Sequence, residues 1–340
     1  MKKTILVFLY VFMSSWLLLA ATAVELPTRL SDEDFWKLSQ DSSEPGGYFR
    51  QADITHFTSN ELGMQYVIPD LVSRVKPGRV YLGVGPEQNF TYIAATKPAM
   101  AVIFDIRRGN LDMQLMYKAI FEMAAERADF VSMLFARPRP AGLTAKSTAA
   151  EIFSAFGAVR PDAALYKKTL ASIRERLTKT HGFALLPSDL NGIDTIYGTF
   201  YSSGFYLRPS PSYAELMAAT DLNGNALSYL QSDDRFAVMR DLEMKNLVVP
   251  VVGDFAGPKA LRAIGQYMKT RGGIVGAFYL SNVEQYLTGG LWDSFCRNVA
   301  TMPLDPGSTF IRSESGGGAG RGIGFVNSLG AMAAETRACR

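Results

Sequence analysis

The sequence predicts an α/β protein: a doubly wound, mostly parallel sheet carrying a large, mainly helical insertion. Three observations carry that prediction. The apolar run Val80–Val84 leads into a glycine turn, a helical stretch and a second apolar run at 100–106 containing Asp105, the opening of a βαβ unit. Apolar runs of strand length return at 247–252 and 274–280, with a helical pattern between them. Of the 340 residues 48% are hydrophobic, enough for a sizeable core, while two Cys and two His cannot build a disulfide framework or most zinc sites.

The elements follow in order. Residues 1–23 join two lysines, a long apolar run and small residues at Ala21 and Ala23, the pattern of a cleaved signal peptide. A retained anchor is the alternative, because the run nears the ~20 residues that span a bilayer. Either way the body is exported, periplasmic or secreted, and any membrane contact runs through an uncleaved N-terminus. Losing Lys2 and Lys3 takes the formal charge from +3 to +1, and no run of like charge offers a nucleic-acid surface.

Ser31 and the acids at 32–34 predict a helix start. A turn-rich break covers 42–47, and a helical pattern over 60–75 is interrupted by Pro69. After the first two strands, Leu111, Leu115, Met116, Ile120, Met123, Phe130 and Leu134 recur at helical spacing, as do Tyr166, Leu170, Ile173 and Leu177. Ser212-x-x-Glu215 reads as a capping box, and Asp-Leu-Asn-Gly at 189–192 and 221–224 as two turns. A helix ending at Val299, a last strand at 309–312 and a stretch with six glycines between 313 and 324 complete the chain. The division expected is 1–23 signal peptide, 24–136 first half of the sheet domain, 137–245 insertion, 246–315 second half and 316–340 glycine-rich tail. Cys296 and Cys339 either pair or remain two thiols.

Gly83-x-Gly85 lies between strand and helix, where glycines let a backbone approach a ligand, and Asp105 stands 22 residues after Gly83, near the spacing of an acid that holds a ribose diol. A plain structural turn is the competing reading. Glu87 in the same loop competes with pyrophosphate for helix N–H groups, which disfavours NAD or FAD and suits a cationic, phosphate-free ligand; simple capping is the alternative.

The series Tyr81-Leu-Gly-Val-Gly-Pro-Glu87, Phe104-Asp105-Ile106, Val252-Gly253-Asp254 and Phe278-Tyr-Leu-Ser-Asn282 resembles the ordered motifs of Rossmann-type S-adenosylmethionine-dependent methyltransferases. More closely, it resembles a bacterial family assigned to that superfamily by fold. The resemblance covers about 60–135 and 245–315, and implies a Rossmann-like sheet with S-adenosylmethionine as cofactor. It implies that Gly83 and Gly85 wrap the methionine part, Asp105 the ribose and Asp254 the adenine. Ser281 and Asn282 would then face the transferred methyl group. Tyr81 and Glu87 depart from the pattern, standing where an acid and a third glycine are usual. Methyl transfer needs few titratable groups, but export separates an enzyme from a cytosolic donor. The alternative is an exported envelope or periplasmic protein that keeps the fold to bind a small ligand or to support an assembly.

Other candidates have structural competitors. His56 and His181 could act as bases, but a satisfied histidine is commoner, and His181 suits the end of a helix. Arg107 and Arg108 could clamp an anion or pair with Asp112 or Glu122. Asp254 could instead cap the helix beginning near Gly257-Pro258, Ser281 and Asn282 could cap the next turn, and Glu284 and Tyr286 are weaker candidates at the same rim. Asp221-x-Asn223-x-Asn225 lacks the Gly and Glu of a calcium loop, so no metal site is expected. Asn89-Phe-Thr91 is a formal glycosylation acceptor inside the ligand helix.

Overall fold

The computed structural model describes residues 25–47, 56–208, 210–315 and 325–339. The expected signal peptide lies outside them. Six strands form one sheet: β1 (Val80–Val84), β2 (Met100–Asp105), β3 (Val248–Val252), β4 (Val275–Ser281), β5 (Leu304–Ser315) and β6 (Phe325–Ala331). Their order is 3-2-1-4-5-6, parallel from β1 to β5, with β6 antiparallel to β5. This is a doubly wound arrangement, whose connections reverse direction beside β1 and open a crevice at the carboxyl ends of β1 and β4. Covered on both faces, the inner strands are apolar along their length: Val80, Leu82, Met100, Ile103 and Phe104 are fully buried.

The helices take their places from familiar local signals. In α1 (Asp32–Ser42) the Ser31 hydroxyl accepts the Asp34 N–H, as its sequence predicts. Pro69 does not interrupt a long helix; it sits in the first turn of α2 (Ile68–Arg74), where its missing N–H costs nothing. The α3 helix (Gln88–Thr96) joins β1 to β2. The stripe beginning at Leu111 divides into α4 (Arg108–Met123) and α5 (Arg127–Leu134).

Between 137 and 245 lie α6 (Ala149–Gly157), α7 (Ala163–Glu175), a π-helical turn (Arg176–Thr180), α8 (Pro187–Ser203), α9 (Tyr213–Ala218) and α10 (Asp233–Met244). The capping box at Ser212 forms. The repeated Asp-Leu-Asn-Gly splits in two: 221–224 is a turn, but 189–192 lies inside α8. There Gly192 lets α8 approach α4, for a Cβ would stand 2.3 Å from an Asp112 carboxylate oxygen. The insertion is mainly helical and shares the sheet's core. Phe90 of α3 packs edge-on to Tyr229 at 5.4 Å, and Phe121 of α4 meets Phe236 of α10 at 5.5 Å.

After β3 come α11 (Ala260–Lys269), β4, a 3-10 turn (Val283–Tyr286) and α12 (Leu291–Ala300). The expected tail at 316–340 is corrected. Residues 325–331 pair with β5, and α13 (Met332–Glu335) returns the chain toward α12, where Cys339 forms a disulfide with Cys296 across a Cα–Cα distance of 5.7 Å. The glycines at 316–324 lie outside the described residues. No helix among the described residues is long and apolar enough to cross a membrane.

Candidate ligand site at the carboxyl edge of the sheet

The glycine turn after β1 closes on itself. Asn89, fully buried, donates from Nδ2 to the carbonyls of Val84, Gly85 and Pro86 at 2.9, 3.3 and 2.7 Å, and accepts the Tyr81 hydroxyl at 2.9 Å. Gly83 is required by this arrangement, because its Cβ would lie 1.9 Å from Asn89 Oδ1. Gly85 has φ +80°, a conformation that favours glycine. The buried Asn89 amide is thus a strut of the turn, out of reach for a glycan.

Asp105, Asp254 and Asn282, expected to meet a cofactor, already have partners within the chain. Asp105 ends β2 and receives the Arg107 peptide N–H at 2.9 Å, with two guanidinium bonds at 3.0 and 2.8 Å. Asp254 accepts the Ala256 N–H at 2.9 Å, closing the turn before α11 and not capping that helix. Glu44, from the break after α1, takes the N–H groups of Asp254, Lys259 and Ala260 at 3.2, 2.9 and 2.8 Å, and so occupies the start of α11. Asn282 opens the 3-10 turn and its carbonyl accepts Gln285 N–H. At the same rim Glu284 pairs with Arg312 at 2.6 Å. Arg108 holds Asp189, not Asp112 or Glu122.

The centre of the crevice is Glu61, 1% exposed, which the sequence reading passed over. One oxygen, Oε1, accepts the hydroxyls of Tyr279 and Ser281, both at 2.7 Å; Oε2 accepts Gln88 Nε2 at 2.7 Å and Asn327 Nδ2 at 2.8 Å. Four donors from three elements, α3, β4 and β6, thus converge on one carboxylate where β1 and β4 end. Its only sequence signal is a polar run, Thr58-Ser-Asn-Glu61, set between buried Phe57 and Met64.

Glu87 lies beside it, joined through Ser59, whose N–H donates to Glu87 and whose hydroxyl donates to Gln88. Fully buried, its carboxyl is pushed up to about 7, although the Ser59 N–H and Thr58 hydroxyl oppose the shift. Its second oxygen has no hydrogen-bond partner among the described residues, nor has Gln114 Oε1, whose Nε2 donates to the Gly85 carbonyl at 3.1 Å. The buried hydroxyls of Tyr213 and Tyr229, bonded to each other, and of Tyr117 complete a polar chamber behind the turn.

Beside Asp105 opens a cleft of about 270 Å³, lined by His56, Phe57, Arg107, Asn110, Met113 and Ile196 among others. Asn110 is 2% exposed and its Oδ1 has no hydrogen-bond partner among the described residues. His56 therefore reaches the cleft, whereas His181 lies elsewhere, bridging Asp32 and Glu122 at 2.7 and 2.8 Å. Among the described residues no group of three His, Cys, Asp or Glu side chains is placed to hold a metal.

Fold and site together define an α/β protein with a crevice at the switch point of a doubly wound sheet. The model of a family described as a domain of unknown function, DUF7790, matches residues 56–322, and the chain belongs to that family. No curated protein matches it.

Proposed function

We propose that this is an exported protein that uses a methyltransferase-like sheet to bind a small ligand other than S-adenosylmethionine. The observation that carries the proposal is the filling of the carboxyl edge by the chain's own groups. Arg107 engages the acid proposed for a ribose, Glu44 takes the helix N–H groups beside Asp254, and Glu61 spans the mouth between Gln88 and Ser281. A nucleoside cofactor would have to displace all three, each a charge-assisted contact. The open volume lies instead in the cleft between His56, Asn110 and Ile196. The Cys296–Cys339 disulfide supports export, because such bonds persist in oxidising compartments.

Methyl transfer remains the second reading, favoured by Gly83 lying one residue before the end of β1 and Asp105 ending β2, the places the resemblance implies. Calorimetry separates the two. Titration of the chain beginning at Val24 with S-adenosylmethionine is expected to give no saturable heat at millimolar concentration. Saturable binding that Asp105→Ala abolishes would overturn the proposal.

A further inference from the structure

The last residue of β4, Ser281, has φ +51°, a left-handed conformation that a serine at the end of a strand adopts only under constraint. The register with β5 is irregular at this point, and the 3-10 turn Val283–Tyr286 follows directly. A strand, a strained serine and a helical turn form the arrangement by which sheet enzymes lift a nucleophilic hydroxyl clear of the strand ends. Tyr279 and Val283 stand where that turn usually has glycines. The Ser281 hydroxyl donates to Glu61 Oε1 at 2.7 Å, within the range needed for proton transfer. Gln88 and Asn327 hold Oε2 from the other side, so the base is itself oriented by neutral donors. Nucleophile, base and orienting groups therefore meet at the switch point, and Ser281 is only partly buried.

We propose that Ser281 and Glu61 form a nucleophile–base pair for acyl transfer, acting on a small ester or thioester. Ser281 Oγ attacks the acyl carbon and forms the new C–O bond as its proton passes to Glu61 Oε1. The tetrahedral adduct collapses, the bond to the leaving group breaks, and the leaving alkoxide or thiolate takes that proton from Glu61. Water then attacks the acyl-serine and gives a proton to Glu61. Oγ departs with that proton, releasing the carboxylic acid. Tyr279, whose hydroxyl burial and the Glu61 charge keep protonated, shares Oε1 with Ser281 in the resting state. The inference goes beyond the ligand-binding reading: it assigns a reaction to the Glu61–Ser281 contact at the mouth, apart from the cleft beside Asp105.

The test is covalent labelling of the folded protein with a fluorophosphonate, read by intact mass and peptide mapping. One adduct on Ser281 is expected in the wild type, none at that position in Ser281→Ala, and labelling slowed about 100-fold in Glu61→Gln. The wild-type measurement stands whether or not either variant folds. Absence of an adduct, an adduct elsewhere, or an unchanged rate in a folded Glu61→Gln would overturn the pair. Absence of labelling together with absence of S-adenosylmethionine binding would remove this inference and leave the ligand-binding reading in place.

Discussion

Glu87 binds a proton on folding that the unfolded chain does not hold at neutral pH. Burial raises its folded value from 4.5 to about 7, so its contribution to stability is full below about pH 4.5, falls as pH rises toward 7, and stays lost above. Glu87→Gln keeps an acceptor for Thr58 and Ser59 while removing the ionisation. It is expected to be more stable than the wild type at pH 8, on the order of 3 kcal/mol at most, and nearly equal at pH 4, measured by urea denaturation. His181 has a dependence of the same sign, set at higher pH. Burial lowers its pKa, but the bonds and charge of Glu122 and the bond to Asp32 outweigh burial and raise it. The stabilisation is therefore full below about 6.5 and is lost as pH rises through the raised folded value. Glu122 is lowered overall: burial works against this, and the bonds to His181 and Lys118 prevail, so its contribution is lost only as pH falls below 4.5. The bridge between α1 and α4 is accordingly tightest from about pH 4.5 to 6.5. His181→Gln should flatten the stability profile above that window.

At the scale of elements, two devices hold the sheet's ends. The β1 turn depends on Asn89 lying where the Gly83 side chain would be, 1.9 Å from the missing Cβ. Gly83→Ala must push that amide off the three carbonyls, and is expected to cost about 1–3 kcal/mol in chemical denaturation. The disulfide fastens the chain after β6 to α12, enclosing a sequence separation of 43 residues. Cys339→Ser, or reduction, should lower stability by about 2–4 kcal/mol, read as a matching fall in denaturation midpoint with and without dithiothreitol. Both devices join residues that a local pattern keeps apart. Gly83 and Gly85 are legible as a turn, but what demands them is a side chain in the following helix. Pairing of Cys296 with Cys339 depends on β6, whose residues 325–331 lack the continuous apolar run by which β1 and β2 are recognised.

Across the whole molecule the sheet and insertion are one hydrophobic body. Tyr117 and Phe121 of α4 face Phe200 and Phe236 of the inserted helices, so deleting 137–245 is expected to give a chain without a cooperative thermal transition by circular dichroism. The doubly wound order was readable because parallel strands buried on both faces are apolar throughout, as in 80–84 and 248–252. Glu61 was not, because its meaning comes from Gln88, Tyr279, Ser281 and Asn327, which no spacing in the chain connects. Asn327 carries a consequence for how the protein comes into being. Its amide reaches Glu61 from β6, which the ribosome delivers after every other strand, and the disulfide that fastens this segment closes only where thiols can be oxidised. The crevice is thus finished last, after translation of β6 and, for an exported chain, after crossing the membrane. A chain held back in a reducing cytosol would still pair β6 with β5, but the segment that carries the fourth donor would lack its covalent tie to α12.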